Sequence, residues 1–484
     1  MKNFTFRISK PLYDKLHCHL FPGDGDEHGA VIIAGTVETE RGFRLLAREV
    51  VIAEDGIDYV PGKHGYRALT AGFVAQVSNR CANEQLCYFA VHSHGGSDTV
   101  GFSDTDMESH KRGYPALLDI TQGGPVGALV FAQNAVAGEI WTKEGVYQLD
   151  SMAIIGMNSK TIQPQPAKFF GKLSDVYDRQ SLMFGAVGQL RLVGAKVGII
   201  GLGGVGSLVN EYVSRLGVGE IIAVDFDKAE PTNHSRLAGA RLTDSLPWLQ
   251  SSKIGILRTL GKALARFKVH IAERVAKQAN PNVQFHAVVG DVTTQSVAHL
   301  LRDVDFLFLC ADSMQSRLVF NALVHQYLIP GLQIGSKVPV HKETGKLGNV
   351  FSAARLVIPF EGGGCLLCNQ LIPADKLQEE ALSIEERKRQ AYVEDDLVKA
   401  PSVITLNAIA ASMAANQFLF HFLSLVDEMN HQVGYWMHYS RENISRSCEC
   451  RTSTGCAHCG RENRTSFARG DRWSLPCKLG GDSV

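Results

Sequence analysis

Several features are scarce in this 484-residue sequence, and each scarcity narrows the field. There is no charge surplus, because 49 Lys and Arg balance 49 Asp and Glu. That argues against a broadly basic nucleic-acid binder and leaves only a local patch open, so no nucleic-acid partner is expected. The opening stretch, MKNFTFRISKPLYDKL, lacks the apolar core of a secretory signal. No long apolar run is free of polar residues. The most apolar helical stretch, residues 402–426, carries Asn407, Asn416, Gln417 and His421, which points to a buried helix and no membrane partner. Eleven cysteines without a signal segment suggest a reducing, cytoplasmic setting, where clustered cysteines serve metal or catalysis more often than disulfides. What remains is ordinary: 45% hydrophobic and 20% charged residues in a chain too long for one core, so two or three domains are expected.

The most informative stretch runs from Lys196 to Arg236. An apolar strand at 197–200 leads into Gly201-Leu202-Gly203-Gly204-Val205-Gly206, and a helix is expected from about Ser207. Glycine permits a tight turn and lets backbone N–H groups approach a phosphate at the positive end of the helix. A second apolar strand, 221–224, delivers Asp225 to the ribose position, about 20 residues beyond the last glycine. A lone glycine pattern of this kind is weak. Between two strands and before a helix it points to nucleotide binding.

Residues 1–150 read as mixed α/β, with strands expected at 30–34, 43–52, 86–91, 126–131 and 136–141, and a helix at 70–81. At the end of one strand stand His92-Ser93-His94, followed by a glycine-rich loop and Ser103-Asp104-Thr105-Asp106. Residues i and i+2 of a strand share a face, so both imidazoles can point at one ion. A carboxylate from the next helix start completes a His₂Asp set and leaves a fourth position for water, as catalytic zinc requires. Glu27, upstream, is a candidate general base. The plain alternative is that Ser103 and Asp104 merely cap a helix. The combination Glu27, His92, His94, Ser103 and Asp106 resembles the JAMM signature of the JAB/MPN metalloprotease family. The resemblance implies an α+β domain, Zn²⁺ on His92, His94 and Asp106, water activation by Glu27 and oxyanion stabilisation by Ser103. It also implies cleavage of peptide or isopeptide bonds after the C-terminal glycine of ubiquitin-like proteins. Gly95 departs from the family, which usually has proline there.

Beyond a Pro/Gln/Lys connection at 163–168, a second set of residues falls in a telling order. Tyr177-Asp178-Arg179-Gln180 precedes the glycine strand; Asp225, Asp227, Asn233 and Arg236 follow it; Lys268, Asn280-Pro281 and Asp312 through Arg317 come later. This order is similar to that of the adenylating E1-like family, which includes ThiF and MoeB. The resemblance implies a Rossmann-like α/β domain with a mostly parallel sheet. It also implies ATP·Mg²⁺ as co-substrate, phosphate contacts from Gly201, Gly203, Gly204, Gly206 and Asn233, and Asp225 on the ribose. Arg236 and Lys268 would be cations at the reacting phosphate, and Asp312 would hold Mg²⁺ or the reacting pair. Arg179 resembles an arginine supplied by a partner subunit, hence a homodimer. Asp227 is a candidate with a possible loop-organising role instead. A longer segment between Arg236 and Lys268, including Leu246-Pro247-Trp248-Leu249, offers Lys253 and Lys262 as competitors for the catalytic lysine.

Cys365 and Cys368 form one CxxC, and Cys456 and Cys459 another. Two such knuckles close a tetrahedral, structural Zn²⁺ site. Cys448, Cys450 and His458 lie near enough in sequence to replace a ligand. Residues 369–400, where ubiquitin-type relatives place a thioester cysteine, contain none; a charged helix is expected at 376–392. The expected layout is a JAB/MPN-like domain over 1–160, a linker over 161–173, an E1-like domain over 174–460 and a weakly ordered tail over 461–484. The expected function is a bifunctional enzyme that adenylates the C-terminal glycine of a ubiquitin-like protein and cleaves bonds after that tail, with an E2-like protein as a further partner. Two alternatives stay open. One is activation and processing of a sulfur-carrier protein alongside a sulfurtransferase. The other is a non-catalytic scaffold for a ubiquitin-like protein.

Overall fold

The buried, branched runs of this chain pair into two large sheets. The computed structural model describes residues 3–60, 67–166, 174–341, 344–382, 401–429, 434–462 and 465–478. The first sheet has nine strands, in the order Lys160–Ile162, Ser151–Ile155, Phe4–Ser9, Gly42–Ile52, Gly29–Thr39, Cys87–Ser93, Val126–Phe131, Val136–Thr142 and Gly145–Gln148. Helix Lys10–Leu20 contributes Leu16 and Leu20 to a core that also holds Phe4, Phe6 and Phe89. A separate core takes Phe73, Val77 and Cys81 from helix Ala71–Glu84 and Tyr114 from helix Asp104–Ile120.

The second sheet has eight strands: Gln284–Val288, Glu220–Val224, Lys196–Ile200, Phe306–Leu309, Gly331–Lys337, Phe351–Val357, Tyr435–Tyr439 and Ile444–Cys448. The first five are mutually parallel and the rest antiparallel. Lys196–Ile200 and Phe306–Leu309 are buried throughout, as expected of parallel strands covered on both faces. One cover contains Gly204–Arg215, Lys268–Ala279 and Ile404–Phe422, and the other is built around Met314–Gln326. The apolar stretch expected at 402–426 is thus a buried helix. Its alanines Ala410, Ala411 and Ala414 let it approach its neighbours closely. His421 is satisfied by Ser159 Oγ and the Met157 carbonyl. Among the described residues, no helix is long and apolar enough to cross a membrane.

Several boundaries differ from expectation. The glycine helix begins at Gly204, because the turn itself winds into the first helical residues. The connection at 161–173 begins inside the sheet: Lys160–Ile162 pairs antiparallel with Ser151–Ile155, while 167–173 lie outside the described residues. The helix expected at 376–392 is described as Ala374–Ala381, and 383–400 lie outside the described residues. Residues 237–267 fold into the short helices Leu242–Ser245 and Pro247–Gln250 and the longer Gly255–Leu264.

The expectation of a weakly ordered tail does not hold over 465–478. Phe467 and Ala468 are buried among residues of both sheets' neighbourhoods, including Val37, Leu46 and Leu328. Its aromatic and hydrogen-bonding side chains find partners that lie far away in sequence. Arginines carry a further part of the contact between the two sheets. Arg7 donates to the Leu328 carbonyl at 3.0 Å and to Asp305 Oδ1 at 3.0 Å. Arg44 donates to the Asp303 carbonyl at 2.9 Å, and Arg41 to Asp305 Oδ2 at 2.9 Å.

Candidate functional site

The carboxyl ends of the parallel strands open into a cavity of about 570 Å³. Gly201 takes a φ of +87° there, and a Cβ on it would meet the Ala311 nitrogen at 2.8 Å. A Cβ on Gly206 would collide with the Gly201 carbonyl oxygen, so the turn closes only with glycine at both positions. A Cβ on Gly203, in contrast, would meet no atom within 4 Å, so this part of the turn faces open space. Asp225 follows the strand Glu220–Val224 and is anchored rather than free. Its Oδ2 accepts from the Leu202 N–H at 2.6 Å and its Oδ1 from the Asp227 N–H at 2.8 Å. Burial raises its carboxyl above the ordinary range, partly offset by Lys268 and these two N–H donors.

The cavity wall brings together Gly201, Gly203, Gly204, Asp225, Asp227, Arg236, Lys268 and Asp312. Lys268 is the first residue of helix Lys268–Ala279, and its Nζ lies 2.6 Å from Asp227 Oδ2. Its competitors Lys253 and Lys262 are exposed and line no part of this cavity. Arg236 donates to the Thr232 carbonyl at 3.0 Å. Three expected residues do not line the wall, and the first is Gly206, which is packed against the Gly201 carbonyl inside the turn. Asn233 is buried and its Oδ1 accepts from the Glu230 N–H at 3.0 Å, so it fastens its own loop. Arg179 is exposed on helix Asp178–Gly194 and does not line the cavity.

Other wall residues were not assigned a role from the sequence. Asn407 reaches the glycine turn from helix Ile404–Phe422, held by the Ser336 hydroxyl at 2.8 Å. Asp291 contributes from beyond the strand Gln284–Val288, and Ser313 adjoins Asp312 in the 312–317 stretch. A polar residue interrupting the apolar helix at Asn407 was the one available signal. The Glu380 carboxylate accepts from the N–H groups of Met314 and Gln315 at 2.8 and 3.0 Å, beside this wall.

In the other sheet, His92 is the last residue but one of the strand Cys87–Ser93 and pairs in register with Gly29, which begins the neighbouring strand two residues after Glu27. The ring Nε2 atoms of His92 and His94 lie 3.2 Å apart, at 3.5 and 3.4 Å from Asp106 Oδ2. Glu27 Oε1 is 3.9 Å from His94 Nε2. Ligand atoms of His92, His94 and Asp106 all lie within 4.8 Å of one another, a spacing that fits one metal ion. Asp106 also closes a capping box: its Oδ2 accepts from the Ser103 N–H and hydroxyl at 2.8 and 2.7 Å. Capping and convergence on the histidines therefore coexist. Burial pushes the Asp106 carboxyl up, but His92, His94 and Ser103 outweigh it and hold it well below the usual range. The hydrogen bond with Asp106 raises His94, and burial raises Glu27.

The four knuckle cysteines also converge. Cys365 Sγ lies 3.8 Å from that of Cys368 and 3.7 Å from that of Cys456, and Cys368 Sγ lies 3.6 Å from that of Cys459. Cys448, Cys450 and His458 stand outside the converging set.

A family model described as the ThiF family matches residues 177–458, more than half of the chain, and leaves the first sheet outside the match. Ubiquitin-like modifier-activating enzyme 5 of Gallus gallus is 26% identical over 253 residues, covering 49% of this chain and 53% of that protein. Adenylyltransferase and sulfurtransferase MOCS3 of Drosophila yakuba is 25% identical over 148 residues, 30% of this chain and 28% of that one. The chain thus spans about half, or less, of the length of these relatives. A crystal structure of E. coli MccB with succinimide aligns at a TM-score of 0.44 and 19% identity, over 60% of this chain and 75% of that one.

Proposed function

This chain belongs to the ThiF family, and from that premise we propose that it adenylates the C-terminal glycine of a ubiquitin-like or sulfur-carrier protein at the expense of ATP. The observation that carries this reading is the single cavity wall holding the glycine turn, Asp225, Arg236, Lys268 and Asp312. In the reaction, a carboxylate oxygen of the protein tail attacks the α-phosphorus of ATP. The bond to the bridging oxygen breaks, and pyrophosphate leaves with the electron pair. Backbone N–H groups at the start of helix Gly204–Arg215 receive phosphate oxygens, and Asp225 accepts from the ribose hydroxyls. Arg236 and Lys268 neutralise charge that grows on the phosphate in the transition state. For Lys268 this means exchanging Asp227 for phosphate, since the two are now paired. Asp312 would hold Mg²⁺, which offsets the phosphate charge when bound. Arg179, exposed and outside its own chain's cavity, suits a role in the cavity of a second copy, so a homodimer belongs to the proposal.

For the first sheet we propose a zinc peptidase site that cleaves after the same kind of tail. The supporting observation is the convergence of His92, His94 and Asp106, with Glu27 alongside. These residues would hold Zn²⁺, which lowers the pKa of bound water and polarises a carbonyl. Glu27 takes the proton from the attacking water and returns it to the leaving amine. Ser103 donates toward the tetrahedral oxyanion. The Cys365, Cys368, Cys456 and Cys459 set would hold a second, structural zinc.

Sulfur-carrier activation is favoured over thioester transfer by two observations. Residues 369–400 carry no cysteine, and Cys310, in the cavity wall, is a thiol raised by burial rather than an activated nucleophile. ATP–pyrophosphate exchange with candidate ubiquitin-like and sulfur-carrier proteins tests the adenylation. Exchange is expected to fall by at least about 100-fold in Asp312→Ala, and exchange that survives this substitution would sink the assignment.

A further inference from the structure

The C-terminal segment at 465–478 crosses both halves of the molecule before it reaches the nucleotide cavity. On the first sheet, the Asp471 N–H donates to the Thr36 carbonyl at 3.0 Å, and Arg48 donates to the Phe467 carbonyl. Gly35 and Gly470 are where the two backbones touch. A Cβ on Gly35 would meet the Ala468 carbonyl oxygen, and one on Gly470 the Thr36 carbonyl oxygen. On the second half, Gln326 Nε2 donates to the Gly470 and Trp473 carbonyls at 2.9 and 2.5 Å, and Arg302 pairs with Asp471 at 2.7 Å. The segment then makes three contacts beside the cavity wall. Gln315 Nε2 donates to the Pro476 carbonyl at 2.7 Å, between the wall residues Ser313 and Ser316. Lys478 Nζ lies 3.0 Å from Oδ2 of Asp291, itself a wall residue, and the Lys478 N–H donates to the Thr293 carbonyl at 2.9 Å.

We propose that Lys478 is a positioning residue for the nucleotide cavity, acting through Asp291, and that this strap links nucleotide binding to the seating of the first sheet. Asp291 needs fixing because it belongs to the wall of a cavity proposed to take an anion. The Thr293 N–H and Lys478 counter it and hold its carboxyl low against the effect of burial. With Lys478 in place, the negative charge at the rim is compensated and the strand end at 288–292 is held. Linkage works both ways: whatever the strap contributes to nucleotide affinity, bound nucleotide returns as protection of the strap. The ion pair is partly exposed, with Lys478 58% and Asp291 29% accessible, so its effect is modest.

This inference rests on the nucleotide being ATP, and the experiment separates the two claims. Hydrogen–deuterium exchange is followed on the full chain, with and without saturating ATP·Mg²⁺, alongside ATP affinity by calorimetry. ATP is expected to slow exchange across 466–478 and at Thr36. Lys478→Ala is expected to weaken ATP binding roughly two- to fivefold and to remove that slowing, while Lys478→Arg restores both. Binding of ATP with strap exchange unchanged in the wild type overturns the linkage alone. So does a Lys478→Ala chain that behaves as wild type in both readouts. A chain that binds no ATP overturns the nucleotide assignment and the linkage with it.

Discussion

Asp106 illustrates how one carboxylate can satisfy two demands. Its oxygen receives the Ser103 N–H and hydroxyl, which fixes the first turn of helix Asp104–Ile120. The same oxygen faces both imidazoles. Helix capping therefore holds this carboxylate where the proposed zinc would bind, with Ser103 bonded to it. Glu27 is positioned differently, by the chain entering the strand Gly29–Thr39 next to His92. Glu27→Gln keeps the shape of the side chain and removes the base. Cleavage of a carrier–peptide fusion is expected to drop by about 10²- to 10⁴-fold, with the thermal midpoint and the zinc content by mass spectrometry unchanged. Persisting cleavage would remove Glu27 from the mechanism.

Among the elements, the glycine turn and the buried strands do most to set the cavity. The collision between a Gly206 Cβ and the Gly201 carbonyl shows that the turn has no room to accept a side chain. Gly206→Val is expected to weaken ATP binding by more than about 100-fold, because the turn must open and its N–H groups lose their aim. Calorimetry on the folded variant measures this, and near-normal affinity would mean that the phosphates lie elsewhere. The knuckles act at a longer reach. The knuckle segment containing Cys365 also supplies the Leu366 N–H to Asn321 at 2.9 Å, and the nearby Leu371 carbonyl receives Arg317 at 2.9 Å, so it buttresses the helix behind the cavity. Cys459→Ser is expected to lose one zinc per chain in native mass spectrometry, with the His92, His94 and Asp106 site still loaded. Unchanged zinc content would show that the cysteines hold no metal.

Across the whole molecule, charge and burial join the two sheets. Asp305 receives Arg7, Arg41 and Arg44, which together overcome the effect of burial and depress its carboxyl. A depressed folded pKa gives stability that is present above the unfolded value of about 3.9 and is lost as the pH falls through the folded value. Asp305→Asn is expected to cost about 1.5–3 kcal/mol in denaturant unfolding at pH 7. The gap from wild type should close as the pH is lowered below about 4; a gap that stays constant with pH would show that the charge is not what matters.

The sequence by itself determined the local chemistry. The glycine turn between two buried strands, the His92–His94 pair on one strand face and the paired CxxC knuckles are legible because each depends on near neighbours or a fixed residue spacing. Which of the three lysines meets the cavity needed the structure, which lines it with Lys268 and leaves Lys253 and Lys262 at the surface. Sequence order also cannot reveal that Asn233 lies outside the cavity wall, with its Oδ1 accepting from the Glu230 N–H. The 465–478 strap was illegible for a related reason. Its composition is polar and glycine-bearing, like that of a loose tail, and its partners are remote: Arg48 meets the Phe467 carbonyl across 419 residues of chain. Only the tertiary structure decides such contacts, because they exist once both sheets have formed and created the groove that Phe467 fills.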